Sequence, residues 1–163
     1  ESLDVEIAPF ANKRIATVKG TLTNNNTNPI SNVCILGRFP SQGNKKIDST
    51  DDLGNTTTFS VSKAISVLGM DTSKIEVYYS EKTDANKDLK DTSNGWTTSQ
   101  TDLTKAKSYL IVLKDKIEAT GTIEFNYEIE LPNNIGYNKN AAKHIIQMKP
   151  QKQQWKKVNK HQY

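Results

Sequence analysis

The sequence predicts an all-β fold, an antiparallel sandwich of about seven to nine short strands. Three observations carry this expectation. Residues 123–131 alternate Ile123, Phe125, Tyr127, Ile129 and Leu131 with Glu124, Asn126, Glu128 and Glu130, the period of two that a strand with one buried face requires. Clusters of Asn, Gly, Pro and Ser recur at short intervals, the chemistry of turns. Helical periodicity is scarce: residues 103–108 suit a single turn and 141–148 a short helix, and neither sustains the three turns of an ordinary helix.

Each strand has its own signature. Leu3, Val5 and Ile7 alternate with Asp4 and Glu6. Residues 15–23 alternate less cleanly but are rich in β-branched side chains, which fit a pleated surface. The run Asn24-Asn25-Asn26-Thr27-Asn28-Pro29 is a turn, because Asn tolerates left-handed backbone and proline cannot donate to a ladder. The apolar run over residues 30–40 then reads as a central strand closed by Pro40. Residues 56–61, 75–79, 109–113 and 123–131 supply the remaining strands. Strands that do not alternate with helices disfavour a parallel sheet, so the expected architecture is an immunoglobulin-like antiparallel sandwich.

Composition narrows the function. A chain of 163 residues fits one domain of about 100–200 residues, which disfavours a two-domain enzyme. Hydrophobic residues make up 34% of the sequence, so the core is expected to be thin. No apolar run approaches the roughly 18–20 residues of a membrane helix. The chain starts at Glu1 with no signal peptide and reads as a processed or excised segment. Cys34 is the single cysteine, which excludes an internal disulfide framework and an all-cysteine metal site.

The net charge of +4 conceals a split. Residues 1–130 hold 15 Lys or Arg against 18 Asp or Glu, whereas residues 131–163 hold seven Lys and no acid. Residues 143–163 also lack Thr, Ser and Gly, although the first 142 residues contain 17 Thr and 12 Ser. The chain therefore divides into a β-sandwich body, 1–142, and a basic tail, 143–163. Three readings of the tail stay open. It is a basic arm pairing phosphates while Trp155 stacks, a disordered solvated extension, or an out-of-frame translation, since a base lost after Ala142 permits a shifted reading rich in Thr, Asn and Glu. Nucleic acid is not expected as a partner, because the positive charge belongs to this tail alone.

Two stretches resemble a known group of proteins. Leu22-Thr23-Asn24, the turn through Asn28-Pro29-Ile30-Ser31-Asn32-Val33 and the closing Gly37-Arg38-Phe39-Pro40 resemble the conserved-repeat and cell-adhesion-related modules of Gram-positive bacterial surface proteins. The segment Ile123-Glu124-Phe125-Asn126-Tyr127-Glu128-Ile129-Glu130-Leu131-Pro132, followed by Asn133-Asn134-Ile135-Gly136-Tyr137-Asn138, looks like a late strand and Asn-rich corner of such modules. Val77-Tyr78-Tyr79-Ser80 and Gly95-Trp96 share the same character. The resemblance spans residues 13–140 and implies a non-enzymatic extracellular module of the cell surface or cell wall, a stalk or adhesion domain. Neighbouring modules of the same protein would be its partners, with a host or matrix ligand or a glycan as further candidates. No wall-sorting signal is visible.

Candidate chemistry follows from a few clusters. His144 and His161, the two histidines, lie in the tail, and Cys34 lies in an apolar strand, so nucleophilic catalysis is not expected. No cofactor is expected, apart from calcium as an option. Asp84, Asn86, Asp88 and Asp91 offer alternating oxygens to such a hard cation, against the plain reading of a solvated loop paired with Lys82, Lys87 and Lys90. Leu89 and Gly95 stand where an EF-hand loop needs glycine and a bidentate acid. Asp48, Asp51 and Asp52 form a weaker cluster. Many surface-protein sandwiches carry a Lys–Asn amide cross-link, for which Lys19 with Asn138, or with Asn126, has the right sequence order; the alternative is an exposed Lys19. Finally, Tyr78, Tyr79, Trp96 and Tyr109 are candidates for a sugar-stacking face. Adjacent Tyr78 and Tyr79 must point to opposite faces of a strand, and the plain reading has Trp96 capping the sandwich edge.

Overall fold

The computed structural model describes residues 2–7, 14–47, 49–132 and 154–157, with side chains for 14–47 and 49–132. Strands β1 (Ser2–Ile7), β2 (Ile15–Thr23), β3 (Val33–Arg38), β4 (Ser60–Leu68), β5 (Ile75–Ser80), β6 (Ser108–Leu113), β7 (Thr122–Glu130) and β8 (Gln154–Lys157) form two four-stranded sheets. The first sheet runs β1-β2-β7-β4 and the second β5-β6-β3-β8, and every pairing is antiparallel. Three 3₁₀ turns, Thr72–Lys74, Thr92–Asn94 and Leu103–Lys105, are the helical content of the described residues. No helix among them is long and apolar enough to cross a membrane.

The alternation along β7 becomes geometry. Ile123, Phe125, Tyr127 and Ile129 are buried between the sheets, while Glu124, Asn126, Glu128 and Glu130 face outward. From the opposite sheet Val33, Ile35, Tyr109, Ile111 and Leu113 complete one core cluster. Phe39 sits at its centre, its ring 4.9 Å from both Tyr109 and Tyr127 and edge-on to the latter, an arrangement favoured by the ring quadrupoles. Beside β7, Gly20 of β2 lies directly opposite Phe125.

Strands β3 and β6 are buried along their whole length. Their inner faces meet the core, and their outer residues Cys34, Leu36, Leu110 and Val112 form a second apolar cluster covered by loop residues. Double-sided burial is why both segments read as continuous apolar runs rather than alternating ones.

Two strand boundaries differ from expectation. The strand expected at residues 56–61 instead runs Ser60–Leu68, because Val61 and Ile65 reach the core across two register shifts that break simple alternation. The strand expected over 30–40 is shorter, Val33–Arg38, and Ile30 makes an isolated bridge to Ile117. The Asn-rich turn is a turn, organised by buried Asn24, whose Nδ2 donates to the carbonyls of Asn28, Ile117 and Glu118. The turn expected within 103–108 is the 3₁₀ turn Leu103–Lys105. In the tail, Gln154–Lys157 pairs with β3 as β8. The helix expected at 141–148 and the rest of the tail, 143–153 and 158–163, lie outside the described residues, as do His144 and His161.

Candidate functional site

The candidate site is the outer face of β5, β6 and β3. Strand parity builds it: Glu76 and Tyr78 of β5 face outward and stand opposite Val112 and Leu110 of β6. Lys114, two residues beyond Val112, is a diagonal neighbour of Glu76 on that face. Its Nζ lies 2.8 Å from Glu76 Oε1, and the Tyr78 hydroxyl donates to Glu76 Oε2 at 2.8 Å. Both carboxylate oxygens of Glu76 are thus engaged, which holds its carboxyl below the usual range, chiefly through Lys114 and then Tyr78. The Tyr78 hydroxyl is pushed up to about 12 by desolvation first and by the Glu76 hydrogen bond second.

The loop from Glu81 to Trp96 supplies the wall, and its polar residues hold it in place. Asp91 caps the 3₁₀ turn Thr92–Asn94, and Gly95 closes that turn in left-handed backbone at φ 66°. Buried Asn94 donates to Asn86 Oδ1 at 2.7 Å and to the Asp88 carbonyl at 2.9 Å, while the backbone N–H of Asn86 donates to Asn94 Oδ1. Trp96 Nε1 donates to the Asn86 carbonyl at 2.7 Å. Beneath the loop, the guanidinium of buried Arg38 donates to the carbonyls of Ala85 and Lys45 and to Ser108 Oγ. Burial lowers its pKa to about 10, partly offset by Asp84, so it stays charged at neutral pH. The loop is thereby pinned against the sheet, with Leu89 and Trp96 packed on the Cys34, Leu36, Leu110 and Val112 cluster beside Tyr78.

A groove of about 280 Å³ results, with Glu76, Tyr78, Leu89, Val112, Lys114 and Asn32 along it. It lies near the lower end of small-molecule sites, roughly 300–1,000 Å³. Apolar side chains form one part of its lining, and a carboxylate, an ammonium, a phenol and a carboxamide form the other. Such a lining can pack a C–H face and hydrogen-bond an edge of hydroxyls.

The aromatic candidates divide accordingly. Tyr78 and Trp96 both pack against the outer cluster of Cys34, Leu36, Leu110 and Val112, and of the two Tyr78 lines the groove. Tyr79 is 6% exposed and belongs to the inner core; its hydroxyl accepts from the backbone N–H of Ile65 at 2.9 Å. Tyr109 is buried in the same core. Glu76 and Lys114 were not singled out by sequence reasoning, although the two-residue spacing of Glu76 and Tyr78 on a strand places them on one face.

The other candidates lie apart from the groove's polar rim. Asp84, Asn86, Asp88 and Asp91 share the loop, where their oxygens serve its own structure. Asn86 Oδ1 accepts from the Asp88 N–H, Asp88 Oδ1 from the Lys90 N–H, and Asp91 Oδ1 from Ser93. Asp84 sits near Arg38, and Asp52 caps Gly54, while Asp48 lies outside the described residues. Among the described residues no three His, Cys, Asp or Glu side chains are grouped so as to hold a metal ion. Lys19 is exposed on the outer face of the first sheet, opposite Asn126 in register and 3.0 Å from Glu124 Oε1. Asn138 lies outside the described residues.

No family model matches the chain, and no curated protein matches it. Three solved structures share part of its shape. A CBM of Ruminiclostridium thermocellum is 11% identical with a TM-score of 0.37, over 80% of this chain and 71% of that one. A family IIIA CBD from Clostridium cellulolyticum is 16% identical with a TM-score of 0.33, covering 81% and 73%. The CBM3b of the major scaffoldin subunit ScaA from Acetivibrio cellulolyticus is 16% identical with a TM-score of 0.35, covering 85% and 76%.

Proposed function

We propose that this chain is a non-enzymatic extracellular module of a bacterial surface protein that binds glycan on the outer face of β5, β6 and β3. The observation that carries this reading is the groove in which Tyr78 meets Leu89 and Val112 on one side and Glu76, Lys114 and Asn32 on the other. A sugar ring is amphipathic in the same way: its axial C–H groups pack on apolar and aromatic surface, and its hydroxyls need donors and acceptors around the rim. The 81–96 loop is held by its own hydrogen bonds and by that of buried Arg38 to the Ala85 carbonyl, so the groove is formed before any ligand arrives, which lowers the entropy lost on binding.

Affinity electrophoresis of the full chain through gels containing dissolved polysaccharides tests this. At least one glycan is expected to retard the protein. Tyr78→Ala should reduce the retardation by about tenfold, the loss expected for removing one central aromatic contact, with folding checked by circular dichroism. Passage at the control rate through every polysaccharide would instead leave the second reading, an immunoglobulin-like stalk or adhesion module of the cell wall stacked on its neighbours. The outer face of the first sheet favours that one: its Thr, Lys and Glu side chains alternate with core residues and form an ordinary solvated surface.

A further inference from the structure

We infer that the groove selects an uncharged pyranose and disfavours both uronates and amino sugars, an inference that rests on the glycan-binding reading above. The described lining contains one carboxylate and one ammonium, and they are already paired at 2.8 Å. An acidic sugar that accepts from a further N–H of Lys114 brings its charge beside the Glu76 carboxylate, whose repulsion offsets the attraction. A cationic sugar that donates to Glu76 brings its charge beside the Lys114 ammonium, which lies 2.8 Å from the same carboxylate. The pair carries no net charge, so a charged sugar gains little net attraction to offset the loss of its own hydration.

Neutral hydroxyls meet no such penalty. Each carboxylate oxygen of Glu76 has a second lone pair, Lys114 has further N–H donors, Asn32 carries both a donor and an acceptor, and the Tyr78 oxygen can still accept. The volume of about 280 Å³ suits one ring rather than a long oligosaccharide. The pair therefore acts as a neutral hydrogen-bonding rim, and it disfavours charged sugars because each of its members stands beside an opposite charge.

The test uses the full chain with Glu76→Gln, Lys114→Met and Tyr78→Ala, on gels containing a neutral glucan, a neutral galactomannan, polygalacturonate or chitosan. Retention is read as the part that Tyr78→Ala abolishes, which removes any contribution from the lysines of the tail. The parent protein should be retained by a neutral polymer and not by the charged ones, with little change on raising salt from about 0.05 to 0.5 M, because no net charge is neutralised. Glu76→Gln should raise Tyr78-dependent retention by polygalacturonate about tenfold, and Lys114→Met should do the same for chitosan, since each frees one charge-assisted contact. Tyr78-dependent retention of the parent by a charged polymer at or above the neutral ones would overturn the inference while leaving glycan binding intact. So would retention of neutral polymer with no gain for charged polymer in either variant. Absence of Tyr78-dependent retention by every polymer would overturn both.

Discussion

The ring of Phe125 occupies the space that a side chain on Gly20 would need. An added β-carbon at Gly20 would lie 2.1 Å from Phe125 Cζ and 2.3 Å from its Cε1. The two residues are direct cross-strand partners of β2 and β7, and the ring stacks back over the glycine into the core. Gly20→Ala is therefore expected to lower stability by about 3 kcal/mol, at the upper end of overpacking effects. Urea denaturation measures it. Phe125→Leu in the Gly20→Ala background should recover part of the loss, whereas Phe125→Leu alone should destabilise; a Gly20→Ala protein as stable as the parent would contradict the packing described.

A second prediction concerns the tie between the sheets. Tyr79 of β5 accepts from the N–H of Ile65 in β4, at the place where two register shifts interrupt the pairing of β4 with β7. The phenol replaces a ladder partner. Tyr79→Phe leaves that buried N–H without its acceptor and should lower stability by about 1–2 kcal/mol. Because Tyr79 points away from the groove, glycan retention should be unchanged at temperatures well below unfolding.

These two contacts show what was legible in the sequence. Strict alternation located β7 and its buried face, and the Asn-rich turn was readable because its residue types carry the required backbone and side-chain chemistry. The course of β4 was not readable: its register shifts leave Lys63 exposed between inward-facing Val61 and Ile65, which breaks the alternation, and the Tyr79 hydroxyl that takes the place of a ladder partner is a long-range contact. The candidate site was half legible. Tyr78 and Trp96 were named from residue type, and parity separated Tyr78 from Tyr79, but Glu76 and Lys114 belong together only through the register of β5 on β6. In the acidic loop the residue types pointed to oxygen donors, and the fold adds what they do locally: Asn86, Asp88 and Asp91 accept from the loop's own N–H groups.

Arg38 supplies a third prediction. Its guanidinium reaches the Lys45 and Ala85 carbonyls and Ser108 Oγ, joining both loops that cover the second sheet to β6. Arg38→Ala should lower stability by about 3 kcal/mol, because several charge-assisted hydrogen bonds are lost and their buried acceptors left bare. Lysine should restore only part of this, lacking the planar fork. Hydrogen exchange should accelerate most in residues 44–55 and 81–96 and least in β2 and β7; uniform acceleration would mean that Arg38 supports the whole fold and not these loops.

The pH profile of stability follows from groups at both ends of the scale. Tyr78 has its folded pKa raised from 10.0 to about 12, and burial also raises Tyr79 and Tyr127. For such groups the unfolded chain loses the proton first, so their contribution is complete below about pH 10 and is lost as pH climbs through the folded values. Glu76 is shifted the other way, below 4.5, by Lys114 and Tyr78. Asp71, Asp91 and Asp102 are held below 3.8 by hydrogen bonds from Ser73, Ser93 and Thr104. For these the unfolded chain takes up the proton first, and the contribution present above about pH 4.5 declines as pH falls through the folded values. The urea midpoint should therefore be flat between about pH 5 and 10 and fall on either side. Tyr78→Phe tests the alkaline limb specifically. It should remove the component of tyrosinate absorbance that titrates near pH 12 and make the alkaline fall shallower. Glu76→Gln should bring the remaining Tyr78 titration to lower pH, because the carboxylate that stabilises the protonated phenol is gone; an unchanged titration would show that desolvation alone sets it.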